Sequence, residues 1–189
     1  MNRIARTLWG IAIAGLLAAA GGAEAAGPSS SSLTVGTKAP DFRLKNLEGD
    51  EVTLYEMLKE GPVLLDFWAL WCKPCLKALP ATDKISKEYG DEGVTVVTIN
   101  TDSPRSTAKV RSYVKSHGYQ FQVLLDPNME TRRLYRYRSI PQLFLIASDG
   151  TIAFSKIGYA PGQERRIVEQ IDQLLAEEAE GEGEGREEG

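Results

Sequence analysis

The chain has 189 residues, of which 42% are hydrophobic, and it carries a formal net charge of −4 and two cysteines. Residues 177–189 have a net charge of −6 and residues 1–26 a net charge of +1, so the rest of the chain has a net charge of +1. The acidic excess therefore belongs to the C-terminal segment. A near-neutral domain has no basic field suited to nucleic acid, so we expect no nucleic-acid partner.

The N-terminal segment, residues 1–26, has the composition of a secretory signal. Arg3 and Arg6 precede an uninterrupted apolar and glycine stretch at 8–20, and Ala23-Glu24-Ala25 places small residues where a signal peptidase cleaves. The stretch is 13 residues long, shorter than the roughly 20 of a membrane-spanning helix. Cleavage is therefore favoured, with an uncleaved anchor as the alternative. No cysteine lies near its end, which excludes a lipid anchor. Either way we expect the folded part in the periplasm or another extracytoplasmic space.

A single domain is predicted between the two ends of the chain. Residues 27–34 are interpreted as a linker, and residues 35–176 are enough for one buried core but too few for two ordinary domains. Residues 177–189 contain seven Glu and nothing apolar after Ala179, so they are predicted to be disordered. We interpret this tail as a solubilising terminus, with a partner-docking arm as the alternative, and we expect a monomer.

Strands and helices alternate along the domain, which favours an α/β fold with a parallel or mixed sheet covered on both faces. In chain order the patterns predict a hairpin of 36–47 with 52–54, a strand at 63–68, a helix at 73–89, a strand at 94–99, a helix from 102 to about 116, a strand at 121–125, a helix at 128–137, strands at 143–147 and 151–156, and a helix at 163–178. Asp102-Ser103-Pro104 is typical of a helix start, with a capping side chain followed by proline at the first helical position.

Cys72 and Cys75 are separated by two residues, and this spacing limits what they can do. A disulfide that closes so short a ring removes little entropy from the unfolded chain, so it is a poor structural cross-link. A metal site needs about four ligands, and the only histidine is His117. Covalent haem attachment needs a histidine directly after the second cysteine, where Leu76 stands. The pair is therefore predicted to be redox-active, without a metal or cofactor.

The segment Trp71-Cys72-Lys73-Pro74-Cys75, between an apolar strand and a helix, resembles the active site of the thioredoxin superfamily. Gly36-Thr37-Lys38-Ala39-Pro40-Asp41-Phe42 and Asp66-Phe67-Trp68-Ala69-Leu70 narrow the resemblance to the exported TlpA/ResA-like branch, over about residues 35–175. It implies a thioredoxin fold with a mixed central sheet, helices on both faces, an N-terminal β-hairpin and a central strand/helix insert. Residues 95–125 have the length for that insert.

The predicted position at a helix N-terminus and the resemblance together imply distinct roles for Cys72, Cys75 and the carboxyl of Asp66. Cys72 lies at a helix N-terminus, where free N–H groups favour an anion, so it is predicted to be the exposed attacking thiolate. Cys75, one turn deeper, would resolve the mixed disulfide. Asp66 interrupts an apolar strand, and thioredoxin carries Asp there whereas many TlpA-like relatives carry Asn. If buried, Asp66 would accept the proton that Cys75 loses; a solvated, structural carboxyl is the alternative.

The resemblance also implies a client-binding surface around the dithiol. Ile140-Pro141 matches the cis-proline that faces the active site, where the backbone of Ile140 would pair with an extended client segment. Trp71, Lys73 and Pro74 complete the predicted surface. Four arginines precede the cis-proline and are interpreted as a solvated helix face, with a positive rim for an acidic partner as the alternative: Arg132, Arg133, Arg136 and Arg138.

The implied activity is that of a thiol–disulfide oxidoreductase, and Pro74, Asp66 and Ile140, all as in thioredoxin, favour reduction. Expected clients carry disulfides or C-x-x-C sites, such as apocytochromes c or copper-site proteins, and a membrane thiol donor would restore the dithiol. One alternative is a peroxidase of the peroxiredoxin type, which residues 36–42 also resemble, although Ala69 replaces the expected threonine. The other is a copper(I) chaperone, whose relatives use a wider cysteine spacing and a histidine.

Overall fold

The computed structural model describes residues 33–187, with side chains described as far as residue 181. The predicted signal segment and most of the linker lie outside the described residues. In chain order the elements are β1 (Arg43–Asn46), β2 (Glu51–Thr53), α1 (Leu54–Met57), β3 (Val63–Trp68), α2 (Lys73–Tyr89), β4 (Thr95–Asn100), a 3₁₀ turn (Pro104–Ser106), α3 (Thr107–His117), β5 (Gln122–Leu125), α4 (Glu130–Tyr135), β6 (Gln142–Ile146), β7 (Ile152–Ile157) and α5 (Glu164–Glu187). Within this part of the chain no helix is both long enough and apolar enough to cross a membrane.

One seven-stranded mixed sheet, in the order β2-β1-β5-β4-β3-β6-β7, organises the structure. Its central strand β3 pairs in parallel with β4 and antiparallel with β6. The β1–β2 hairpin joins the sheet through an antiparallel pairing with β5. This arrangement is the thioredoxin fold that the resemblance implied, with the N-terminal hairpin in place and α3 with β5 forming the central insert.

Every residue of β3 is buried because helices cover both faces of the sheet. Successive side chains of a strand point to opposite faces. Leu64 and Trp68 accordingly pack in one core with α2, α3 and α5, while Leu65 and Phe67 pack in the other with α1 and α4. Asp66 shares the face of Leu64 and Trp68, so its carboxyl points towards α2, the helix that carries the cysteines.

Several elements differ from the sequence prediction. The strand predicted at 36–47 is limited to Arg43–Asn46, and the helix predicted from 102 begins as the 3₁₀ turn at Pro104. Helix α1 begins within a segment predicted to be strand, and the hydroxyl of Thr53 accepts a hydrogen bond from the Glu56 N–H at its start. At the other end α5 continues to Glu187, through most of the segment predicted to be disordered. Over residues 177–180 Glu and Ala are good helix formers, and Glu178 is fixed there by hydrogen bonds from the backbone N–H and hydroxyl of Ser148.

Candidate active site

Cys72 and Cys75 form a disulfide where the chain passes from β3 into α2, with an S–S distance of 2.01 Å. Cys72 is the N-cap of α2, and the backbone N–H of Cys75 donates to its sulfur over 3.2 Å. Lys73 and Pro74 are the first two helical residues and are exposed. Proline fits in this turn because a first-turn N–H has no intrahelical acceptor. The same unpaired N–H groups would stabilise a thiolate on Cys72 once the disulfide is reduced.

The loop before β6 packs against the sulfur of Cys72. The Ile140–Pro141 peptide bond is cis, as the resemblance implied, and the carbonyl oxygen of Ile140 lies 3.7 Å from the Cys72 sulfur. Cys72 is consequently only 4% exposed, against 1% for Cys75. The prediction of an exposed Cys72 is therefore wrong for this oxidised form, because the loop and the disulfide together cover most of the residue.

The four residues between β3 and α2 are held from the end of the neighbouring strand β4. The backbone N–H of Leu70 donates to a carboxylate oxygen of Asp102 over 2.7 Å, and the side-chain amide of Asn100 donates to the same oxygen over 2.9 Å. The backbone N–H of Thr101 donates to the carbonyl of Trp68 over 2.9 Å. These bonds fix the chain immediately before Cys72, so Asp102 and Asn100 support the site without contacting the disulfide sulfurs.

Asp102-Ser103-Pro104 was predicted to begin the next helix, with a capping side chain followed by proline at the first helical position. The proline is where it was predicted, but the side-chain cap is not formed. The N-cap positions of the 3₁₀ turn and of α3 are Ser103 and Ser106, and neither side chain makes a capping hydrogen bond. The carboxylate of Asp102 points back to the active-site loop instead. Adjacent parallel strands end at the same edge of a sheet, which was the only signal in the sequence that could have placed Asp102 beside Leu70.

Asp66 is buried behind the disulfide, with 3% of the residue exposed. One of its carboxylate oxygens accepts a hydrogen bond of 2.7 Å from the hydroxyl of Thr82 on α2. Burial raises the pKa of Asp66 from 3.8 to about 7, and the Thr82 bond opposes part of that rise. The alternative of a solvated carboxyl is therefore excluded. A carboxyl with this pKa can take up or release a proton near neutral pH.

A cavity of about 20 Å³ lies beside Asp66, which is room for about one water molecule. Ala78, one helical turn beyond Cys75, lines it together with Pro141. Lys156 and Glu164 line it as well. The cavity therefore extends from the buried carboxyl towards both the helix that carries Cys75 and two charged side chains.

The predicted site residues thus fall into two groups. Cys72, Cys75 and the Ile140–Pro141 bond meet at the N-terminus of α2, with Asp66 behind them. Trp71 lies in front and is 65% exposed, the most exposed large hydrophobic side chain in the described part of the chain. Trp68 is fully buried, as expected of a core residue. Client contacts by Trp71, Lys73, Pro74 and Ile140 stay predictions.

Comparison with known proteins gives consistent results. The AhpC/TSA family profile matches residues 35–155. Thiol-disulfide oxidoreductase ResA of Halalkalibacterium halodurans is 31% identical over 144 residues, which cover 76% of this chain and 78% of that protein. Thioredoxin-like protein YneN of Bacillus subtilis is 36% identical over 124 residues, which cover 65% of this chain and 71% of that protein.

Solved structures resemble the chain over the same region. A Chlorobium tepidum protein proposed to be the thiol:disulfide interchange protein DsbE superposes with a TM-score of 0.70 at 33% identity, covering 76% of this chain and all but 1% of that structure. StoA from Bacillus subtilis superposes with a TM-score of 0.59 at 28% identity, covering 70% of this chain and 97% of that structure.

Replacing Asp66 with Asn is expected to stabilise the oxidised protein at high pH more than at low pH. The folded state keeps a proton on Asp66 up to about pH 7, whereas the unfolded state loses it near pH 3.8. The free energy of unfolding of the wild type therefore falls as pH rises between these values. Asn does not titrate, so the advantage of Asp66→Asn over the wild type should grow by up to about 4 kcal/mol between about pH 4 and about pH 8.

Urea unfolding at the two pH values measures this difference. Asp91→Asn, which alters an exposed carboxyl, is the matched control and should follow the wild type. A gap between Asp66→Asn and the wild type that stays constant with pH would show that burial does not raise the pKa of Asp66.

Proposed function

Because the chain belongs to the AhpC/TSA family and to the ResA-like branch of the thioredoxin superfamily, we propose that this protein-disulfide oxidoreductase reduces client disulfides outside the cytoplasm. The observation that carries the proposal is the arrangement of three groups. A Cys72–Cys75 disulfide lies at the N-terminus of α2, a cis-proline loop packs against it, and a buried carboxyl with a pKa of about 7 lies behind it.

The first step is attack by the reduced form of Cys72 on a client disulfide. Its thiolate forms a bond to one client sulfur, and the other client sulfur leaves as a thiolate. The N–H of Cys75, which points at the Cys72 sulfur, and the remaining free N–H groups of α2 favour the thiolate before the attack. The backbone of Ile140, which lies beside that sulfur, would pair with an extended client segment.

The second step releases the client. Cys75 transfers its proton towards Asp66, and its thiolate attacks the Cys72 sulfur; the Cys72–Cys75 disulfide forms as the bond between Cys72 and the client breaks. A water molecule in the cavity between Ala78 and Asp66 would carry the proton. The two electrons gained by the client come from the dithiol, and a membrane thiol donor would return the pair to the reduced form.

Reduction rather than oxidation is supported by the resemblance to thioredoxin at Pro74, Asp66 and Ile140. The proposed clients are proteins with accessible disulfides or C-x-x-C sites, such as apocytochromes c and copper-site proteins awaiting their metal. Peroxidase chemistry is less well supported: the resemblance to peroxiredoxins requires a threonine hydroxyl three residues before Cys72, and the buried Ala69 stands there.

We place this activity outside the cytoplasm because residues 1–26 have the pattern of a signal peptide. The mature chain is expected to start near Ala26 and to occur in the soluble extracytoplasmic fraction of producing cells. Intact-mass measurement after cell fractionation tests this expectation. Recovery of a chain that retains its N-terminal segment in the membrane fraction would contradict cleavage and favour the anchor.

The separate roles of Cys72, Cys75 and Asp66 can be tested with a disulfide-linked peptide as the client. Cys75→Ser should form the mixed disulfide on Cys72 and hold it, whereas Cys72→Ser should capture almost none. Asp66→Asn should slow release of the peptide by roughly 10-fold or more, as general-base catalysis commonly contributes about 10²–10⁴, while iodoacetamide alkylates Cys72 at close to the wild-type rate.

Quenched-flow mass spectrometry separates the two steps, and Asp91→Asn again serves as the control. Normal release by Asp66→Asn, together with a collapse in Cys72 alkylation, would contradict the role of Asp66 as proton acceptor. Efficient capture by Cys72→Ser would reverse the assignment of the two cysteines.

A further inference from the structure

A second cavity, of about 50 Å³, opens beside the dithiol on the side of α4. Its walls include Ile140, whose carbonyl lies 3.7 Å from the Cys72 sulfur, and the exposed ring of Trp71, the residue before that cysteine. Met129, Arg132 and Arg138 form the opposite side. We call this group of five residues the Trp71–Arg132 cavity. It combines apolar surface with cationic side chains, and two of its residues, Trp71 and Ile140, adjoin the reacting cysteine.

The guanidinium of Arg132 has a defined position in this wall. It donates a hydrogen bond of 3.2 Å to the carbonyl of Arg138 and lies 3.9 Å from the sulfur of Met129. None of the ion pairs formed within the described part of the chain includes Arg132. An arginine held in place without a carboxylate partner keeps donors available for an acidic group from another molecule.

The backbone around α4 is held in an unfavourable conformation that keeps this wall in place. Met129 and Arg136, which flank the helix, both have a φ of 53° and are the only non-glycine residues with positive φ among those described. Such conformations are costly for side chains with a Cβ and persist where surrounding contacts impose them. At the Met129 end Asp126 supplies such contacts, since its carboxylate accepts hydrogen bonds from the N–H groups of Glu130 and Thr131 and its carbonyl accepts one from Met129.

We propose that the Trp71–Arg132 cavity binds an acidic side chain of the client close to its reacting cysteine. The inference rests on the proposed function and adds a substrate preference to it. A carboxylate would pair with the guanidinium of Arg132 through charge-assisted hydrogen bonds, and its methylene stem would pack on Trp71 and Met129.

The position of the acidic residue follows from the geometry of an extended segment. If the client pairs with the backbone of Ile140, its side chains alternate in direction, and those two residues apart lie on the same side about 7 Å from each other. The preferred client therefore carries Asp or Glu two residues from the cysteine that bonds to Cys72. The arginines, interpreted from sequence as a solvated helix face, then have different roles: Arg132 contacts the client, and Arg133 does not line the cavity.

A competition for Cys72 tests the proposal. The Cys75→Ser chain, which holds the mixed disulfide, is given equal amounts of two disulfide-bridged peptides that differ only in Asp or Asn two residues from the cysteine. Mass spectrometry measures the ratio of the two adducts, and exchange with N-acetylcysteine corrects for the intrinsic reactivity of each peptide. We expect about a fivefold excess of the Asp adduct at low salt, an effect typical of one charge-assisted contact, and a smaller excess at about 0.5 M salt.

The matched variants are Arg132→Gln and Arg133→Gln, each in the Cys75→Ser chain. Both remove one exposed positive charge from α4, but only Arg132 lines the cavity. Arg132→Gln should bring the ratio close to one, and Arg133→Gln should leave it within twofold of the parent. Capture without preference, or an equal loss in both variants, would overturn the cavity as a specific site. Failure to capture either peptide would instead overturn the proposed exchange chemistry, and the cavity assignment with it.

Discussion

The site depends on how the chain is turned between β3 and α2. Within four residues it must leave a fully buried strand and place a cysteine at a helix N-terminus. Two hydrogen bonds fix that turn, one from the Leu70 N–H to the Asp102 carboxylate and one from the Thr101 N–H to the Trp68 carbonyl. The N–H of Cys75 then points at the sulfur of Cys72, and the carbonyl of Ile140 limits access from the other side. Cys75 is held one turn along in the core, so the two chemically identical thiols occupy different environments.

Among the groups around the disulfide, Asp66 is the one that lowers the free energy of unfolding near neutral pH. Its carboxyl is buried with a single hydrogen bond, from Thr82, and burial raises its pKa to about 7. An apolar residue of similar volume would avoid the desolvation cost. A carboxyl that titrates near neutral pH, beside a cavity that reaches the helix of the resolving cysteine, is suited to accept the proton released in the second step.

Much of this could be predicted from the sequence, and the differences have physical causes. The bounds of β3 and α2 match the prediction because a non-alternating, largely apolar run of strand length and a capped, 17-residue helix are strong local signals. Helix α1 has four residues, too few to show a helical period. The role of Asp102 beside the active site was missed because its partner Leu70 is 32 residues away in the chain. The burial of Cys72 and the position of Arg132 beside Trp71 depend on packing between distant loops, which no local pattern encodes.

The direction of electron flow is the central claim, and the reduction potential of the Cys72–Cys75 pair tests it most directly. Equilibration of the protein with thiol–disulfide buffers of known potential, read out by the ratio of dithiol to disulfide, provides the value. A reductant requires a potential close to that of thioredoxin, about −270 mV, rather than about −120 mV as in a strong oxidant. The gap corresponds to roughly 7 kcal/mol, so the two cases are readily separated. A value near the oxidising end would contradict the account, and the same fold and dithiol would then belong to a protein that introduces disulfides into its clients.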